Sequence, residues 1–299
     1  MTISIIIAHY APDIKYRDVL KKTIESIRNQ DYPETVDIAV SDDGSFWSKT
    51  LNKSGDELTI YTRNSIENET LLKDLDIDYY LVTPFSKKYK KAMLWNQALN
   101  LVSSEDIIFL DDDHAFKRND SLTLYKKYFQ DYEFVVGRIQ EANNIYRIFS
   151  DPWVQGSNFG LKKKIIKDVG GFGEYTSNWG AGEDVDIFWK VYLKFKKKIN
   201  RKNAYFAGEI ITRDLCKGRW KYCDFDEDQF IQGYLELLGI HPEQNESRNK
   251  KTWIKISPKT KLLEIWYKIH RFCLWRIDGI RKRLKTVKNY LSKGILKIR

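Results

Sequence analysis

The run Ile107-Ile108-Phe109-Leu110 passes without a break into Asp111-Asp112-Asp113, and few architectures accept that junction. Four consecutive apolar residues, two of them β-branched, read as a strand buried on both faces, as in a parallel sheet covered by helices. Three adjacent carboxylates repel one another unless a cation joins them, so they belong where the strand leaves the core. In open α/β sheets ligands bind beyond the carboxyl ends of the strands.

The first 115 residues repeat this pattern. Ile3–Ala8 is a second β-branched apolar run, and Tyr16–Asn29 follows as a helix, with Val19, Leu20, Ile24 and Ile27 at helical spacing before Asp31-Tyr32-Pro33 stops it. Val36–Val40 reads as a strand ending in the turn signal Ser41-Asp42-Asp43-Gly44-Ser45. Leu58–Tyr61 and Tyr79–Val82 are shorter strands, and Lys90–Val102 is a helix with Ala92, Trp95, Ala98, Leu99 and Val102 apolar. Alternating strands and helices predict a mostly parallel sheet flanked by helices, with Asp42-Asp43 and Asp111–Asp113 at strand ends. Beyond Asp120 come a helix (Ser121–Tyr128), a strand (Phe134–Arg138), a Gly- and aromatic-rich stretch (153–182) and a helix (Asp184–Lys196). The expected organisation is one α/β domain over 1–241, with a nucleotide-binding half (1–115) and an acceptor half (116–241). A polar linker (242–258) and a helical tail (259–299) follow.

Charge helps only when located. Residues 259–299 hold thirteen Lys/Arg against two acids, +11, so a chain of net charge +10 leaves −1 for residues 1–258. The body lacks the basic face that nucleic-acid binding requires, and no nucleic-acid partner is expected. Cys216, Cys223 and Cys273 form no CxxC pair, which suggests neither a disulfide framework nor a zinc site and fits a reducing, cytoplasmic setting. No stretch approaches the ~18 apolar residues of a membrane span, and the N-terminal run lacks the basic flank of a signal peptide. Aromatic residues make up 14% of the chain; such rings line sugar-binding clefts, but core packing is their ordinary use.

Hard divalent cations take oxygen ligands, one or two carboxylates plus substrate phosphates, and Asp111–Asp113 offer that chemistry; a solvated acidic turn is the plain alternative. A second acidic group lies in Asn178-Trp179-Gly180-Ala181-Gly182-Glu183-Asp184-Val185-Asp186. Glycines there allow close backbone approach to a ligand, and acids at a helix start suit the dipole, as simple caps also do. A carboxylate poised as general base is what attack by an alcohol needs.

Taken together, Ile3-to-Tyr10, Ser41-Asp42-Asp43-Gly44-Ser45, Ile108-Phe109-Leu110-Asp111-Asp112-Asp113 and Trp179-Gly180-Ala181-Gly182-Glu183-Asp184-Val185-Asp186 resemble the family-two glycosyltransferases of the GT-A fold. The Trp-Gly-x-Gly-Glu-Asp form is also similar to β-1,4-galactosyltransferases and chondroitin-polymerase domains. The resemblance spans about residues 3–215 and implies a Rossmann-like GT-A domain that moves a sugar from a nucleotide-sugar, a UDP-sugar first, to a glycan or lipid-linked glycan, aided by Mn²⁺ or Mg²⁺. It implies that Ala8, Tyr10 and Asp43 border the base, and that Asp111, Asp112 and Asp113 serve the nucleotide, Asp111 and Asp113 as the metal-associated pair. Asp184 would take the acceptor proton, Glu183 would orient the acceptor, Trp179 and Gly180 would meet a sugar face, and Ser157-Asn158 would approach the donor sugar.

The chain departs from the family at Leu94-Trp95-Asn96, where relatives carry Ala-Arg-Asn; Lys90 or Lys91 is then offered to the diphosphate instead. A downstream histidine ligand would fall on His241, with His114 a comparable candidate; a lone histidine is more often structural, and His9 reads equally as a packed strand-end residue. The implied mechanism is inverting displacement, with retention left open because some retaining GT-A enzymes share these acid motifs. A non-catalytic glycan- or partner-binding protein and a nucleotidyltransferase acting on sugar phosphates are the competing classes. The latter usually carries a Gly-rich basic loop after its first strand, where this chain has Ala8-His9-Tyr10-Ala11-Pro12-Asp13.

In the tail Leu262, Trp266, Ile269, Cys273, Ile277, Ile280, Leu284, Val287 and Leu291 form one helical stripe among Lys and Arg. The pattern fits a helix lying on the anionic inner face of a membrane, a peripheral location, as well as a helix docked on the body or on a partner.

Overall fold

The computed structural model describes residues 2–216 apart from 12, 45, 53–54, 56, 85–89, 143, 145, 147–155, 179–181, 185, 188–189 and 192–203. By its contacts the chain divides into one unit of residues 1–234 with 241–252, and a second of 235–240 with 253–299. The second unit, the linker and the tail lie outside the described residues.

The elements run β1 (Ile3–His9), α1 (Lys15–Arg28), β2 (Val36–Asp42), β3 (Thr59–Thr62), α2 (Arg63–Ile66), β4 (Tyr79–Val82), α3 (Lys91–Leu101), β5 (Asp106–Asp111), β6 (His114–Phe116), α4 (Ser121–Asp131), β7 (Phe134–Gln140), β8 (Phe159–Lys162), α5 (Lys163–Asp168) and β9 (Ala204–Asp214). One sheet takes all the strands in the order β3-β4-β2-β1-β5-β8-β7-β9-β6. Its heart, β4-β2-β1-β5, is parallel as expected.

Side-chain alternation along β1 builds the core. Ile3, Ile5 and Ile7 face α1 (Leu20, Ile24, Ile27) and α4 (Leu122, Tyr125, Phe129), while Ile6 faces α3 (Trp95, Ala98, Leu99) and α5 (Ile165, Ile166). Each such side chain, fully buried, contributes roughly 1.5–3 kcal/mol. Trp95 is closed in by Phe109 and Phe172, each with ring centroids 4.9 Å away, and by Phe159 at 5.7 Å. Trp95 and its neighbours thus spend their aromatic surface on the core.

The second half differs from a mostly parallel expectation. β8 runs antiparallel to both β5 and β7, and β6 antiparallel to β9; only the β7–β9 pair is parallel there. β8 escapes a periodicity reading because it is four residues long with Gly160 inside it. A Cβ on Gly160 would lie 2.5 Å from the Phe129 ring, so the strand needs glycine to admit that ring.

Candidate active site

Register sets the site. Because β1 pairs in parallel with both neighbours, Ala8 sits between Ser41 and Asp111, and His9 opposite Asp42. The carboxyl ends of β2, β1 and β5 therefore bring Ala8, Tyr10, Asp43 and the three aspartates to one edge. Asp42 is structural there: it accepts from the Gly44 N–H at 2.9 Å and from the Tyr80 hydroxyl, and Gly44 has φ +88°, a conformation that suits glycine. Asp43 is largely buried and its N–H donates to the His9 carbonyl at 3.2 Å.

The three aspartates separate by what they touch. Asp112, grouped with the nucleotide ligands from sequence, turns inward and is 3% exposed. Its Oδ2 accepts from His9 Nδ1 at 2.5 Å and from the Tyr10 N–H at 3.3 Å. Trp47 Nε1 donates to His9 Nε2 at 3.0 Å, so the His9 proton sits on Nδ1 and points at Asp112. A Trp47–His9–Asp112 chain thus anchors the middle carboxylate, and Asp111 and Asp113 are left on the solvent side.

Asp111, Asp113 and His114 form the metal-capable cluster, with one ligand atom from each within 4.8 Å of the others. His114 Nδ1 lies 2.6 Å from Ser157 Oγ, which also accepts the Asp111 N–H at 2.8 Å. Two carboxylates and an imidazole braced by a hydroxyl fit a divalent cation such as Mn²⁺. His241, the downstream histidine, lies outside the described residues.

Lys91, in the first turn of α3, joins the two acidic motifs. Its Nζ lies 2.6 Å from Asp111 Oδ1, 2.6 Å from the Gly156 carbonyl and 3.2 Å from Glu183 Oε1. It also stands 4.5 Å from the centre of the Trp95 ring. Burial pulls its pKa down, but Asp111 and then Glu183 outweigh that and raise it above the usual lysine value. Lys90 is turned elsewhere, to the Pro84 carbonyl at 2.7 Å; burial lowers its pKa, with Asp43 opposing.

The acids of the second motif also divide. Gly182, with φ +109°, opens a helix that includes Glu183, Asp184, Asp186 and Ile187, and its carbonyl accepts the Asp186 N–H at 2.9 Å. Asp186 is fully buried and structural, accepting from the Gly173 N–H at 2.5 Å and the Tyr175 hydroxyl, with Lys190 Nζ at 2.8 Å. Glu183 is buried against Lys91, whereas Asp184 is only partly buried. A Cβ on Gly156 would stand 3.2 Å from Glu183 Oε1 and Lys91 Nζ and 3.5 Å from Asp184 Oδ2, so glycine there gives the acids their space. Trp179 and Gly180 lie outside the described residues.

Asn158 has a packing role in the structure. It is fully buried, accepting from the Tyr125 hydroxyl at 2.9 Å and donating to the carbonyls of Arg138 and Ile210 at 3.0 and 3.2 Å. It plugs the register shift between Gly137 and Arg138, and a Cβ on Gly137 would lie 2.3 Å from its amide nitrogen. Ser157 is buried as well and acts through His114 and Asp111. Sequence reasoning missed the Trp47–His9–Asp112 chain altogether and ranked Lys91 no higher than Lys90. The one available signal was that Lys91 lies one helical turn before Trp95.

No protein-family model matches the chain. A Campylobacter jejuni protein named GalNAc(5)-diNAcBac-PP-undecaprenol beta-1,3-glucosyltransferase is 32% identical over 206 residues, covering 67% of this chain. The chain spans 56% of that relative's length. Among solved structures, S. aureus TarS 1–349 in complex with UDP-GlcNAc superposes with a TM-score of 0.54 at 15% identity, over 80% of this chain and 65% of that one. The mannosyltransferase PcManGT from Pyrobaculum calidifontis, in complex with GDP-Man and Mn²⁺, gives 0.50 at 14%, over 79% and 63%. With the β-sheet order and the strand-end acids described above, these likenesses identify the architecture as the GT-A glycosyltransferase fold.

Proposed function

We propose that the chain is a metal-assisted glycosyltransferase that moves a sugar from a nucleotide-sugar, a UDP-sugar first, to a hydroxyl of a glycan or lipid-linked glycan with inversion. The observation that carries this is the meeting of two acidic groups across one ammonium: Asp111, Asp113 and His114 on one side of Lys91, Glu183 and Asp184 on the other. The Campylobacter relative, whose name carries an undecaprenol-linked glycan and a glucosyl transfer, supports the lipid-linked acceptor. The Mn²⁺ and nucleotide-sugars in the names of the structural neighbours support donor and metal.

Asp111, Asp113 and His114 would hold Mn²⁺ or Mg²⁺, which supplies Lewis acidity at the diphosphate leaving group. Ala8, Tyr10 and Asp43 border the base. Asp184 accepts the proton of the acceptor hydroxyl as its oxygen bonds to the anomeric carbon and the bond to the diphosphate breaks. Glu183, fixed by Lys91, orients the acceptor, and Trp179 and Gly180 meet a sugar face. Work on a lipid-linked acceptor would place the protein peripherally at the cytoplasmic face of a membrane. Among the described residues no helix is long and apolar enough to cross one.

Hydrolysis and transfer assayed across a nucleotide-sugar panel test the reading. EDTA should abolish turnover and Mn²⁺ or Mg²⁺ restore it, and Asp113→Ala should lose both metal and nucleotide affinity. Full activity of Asp113→Ala, or turnover in EDTA, would remove the metal assignment.

A further inference from the structure

We propose that Lys91 is a charge gate, its ammonium occupying Asp111 so that divalent-metal binding becomes conditional on a nucleotide diphosphate. The inference rests on the metal and nucleotide reading above and adds a positioning residue to it. An ammonium has three N–H donors, and here three oxygens surround it, from Asp111, Gly156 and Glu183, at 2.6, 2.6 and 3.2 Å. The Asp111 side chain that holds it belongs to the same cluster as Asp113 and His114. A dication entering that cluster alone meets a fixed positive charge at one of its ligands.

The helix that carries this charge is held in place. Lys91 begins α3, and that helix is seated by Trp95 in the aromatic cluster and by Asn96, whose Nδ2 donates to the Phe172 carbonyl at 2.9 Å and whose Oδ1 accepts the Phe172 N–H at 2.9 Å. The Trp95 ring backs the ammonium at 4.5 Å. A diphosphate resolves the conflict, since its negative charge compensates metal and ammonium together. Metal and nucleotide then each tighten the other by one factor, as linkage requires.

Mn²⁺ binding with and without UDP, followed by electron paramagnetic resonance of free Mn²⁺ and by calorimetry, tests the gate on the full chain. For Lys91→Met, Mn²⁺ affinity without UDP should rise about tenfold or more, and the Mn²⁺–UDP coupling factor should shrink. Lys91→Arg, which keeps the charge, should keep the native coupling. Lys91→Gln replaces Lys91→Met if thermal melting shows the latter unfolded. Unchanged Mn²⁺ affinity in a folded, uncharged variant overturns the gate while leaving the functional reading intact. If the native protein binds no Mn²⁺ even with UDP, the functional reading itself fails and the gate with it.

Discussion

At the scale of single residues, acids that look alike in sequence do different work because the fold gives them different neighbours. Asp184 and Asp186 stand two apart on one helix, yet Asp186 is fully buried among Gly173, Tyr175 and Lys190 while Asp184 is partly open beside Gly156. Asp184→Asn should therefore lower turnover roughly 10²–10⁴-fold, the usual loss for a general base, with donor binding and melting temperature little changed. Normal turnover in Asp184→Asn together with an inactive Glu183→Gln would exchange the two roles. Asp186→Ala should instead cost about 3 kcal/mol of stability by stranding a partly buried lysine, measured by chemical denaturation. Asn158→Ala is the second stability variant. It removes three hydrogen bonds, two of them buried, and puts alanine at φ +60°, a loss of about 3 kcal/mol, again by denaturation. The acidic motifs were legible in sequence because three carboxylates after a buried strand have few uses. Which carboxylate turns inward was not, because His9, held by Trp47, reaches Asp112 only once β1 and β5 pair.

At the scale of elements, the end of β5 and the start of β6 carry the metal-capable cluster, β1 sets its register, and α3 supplies Lys91. β1 was readable because its apolar run needs cover on both faces, and α3 because its apolar residues recur at helical spacing. In the second half β7 was readable as the run Phe134–Arg138, but β8 and β9 were not. β8 is short and needs Gly160 for Phe129, and β9 carries a register shift that only Asn158 explains. Neither leaves a period in the sequence. α3 links the halves, since Lys91 reaches Asp111 and Glu183 while Asn96 holds Phe172 and Glu174. Asn96→Ala should leave α3 packed by Trp95 but free the turn at 172–174. The expected result is a stability loss of about 2 kcal/mol and a higher acceptor KM, with the Kd for UDP unchanged. A change in UDP affinity without one in acceptor KM would place the effect of α3 on the donor side alone.

At the scale of the whole molecule the question is where the charge lies. Residues 259–299 carry +11 while the rest of the chain carries −1, and apolar residues recur through that segment at three- and four-residue steps. An enzyme with a lipid-linked acceptor gains from confinement to the surface that holds it, because the local acceptor concentration rises. Each cation near an anionic leaflet contributes about 1 kcal/mol, fading over a Debye length of roughly 8–10 Å. Sedimentation with anionic liposomes should therefore weaken as salt rises, and Trp266 with the apolar residues in step with it should leave a salt-resistant remainder. Replacing Arg281, Lys282, Arg283 and Lys285 with Gln should remove most of the salt-sensitive part. Hydrolysis of the donor in solution should stay unchanged. Transfer to an acceptor embedded in liposomes should fall, while transfer to a soluble acceptor analogue should not. If the four-fold variant sediments like the native chain, or loses donor hydrolysis and stability together, the stripe packs against protein and the membrane role of the tail is lost.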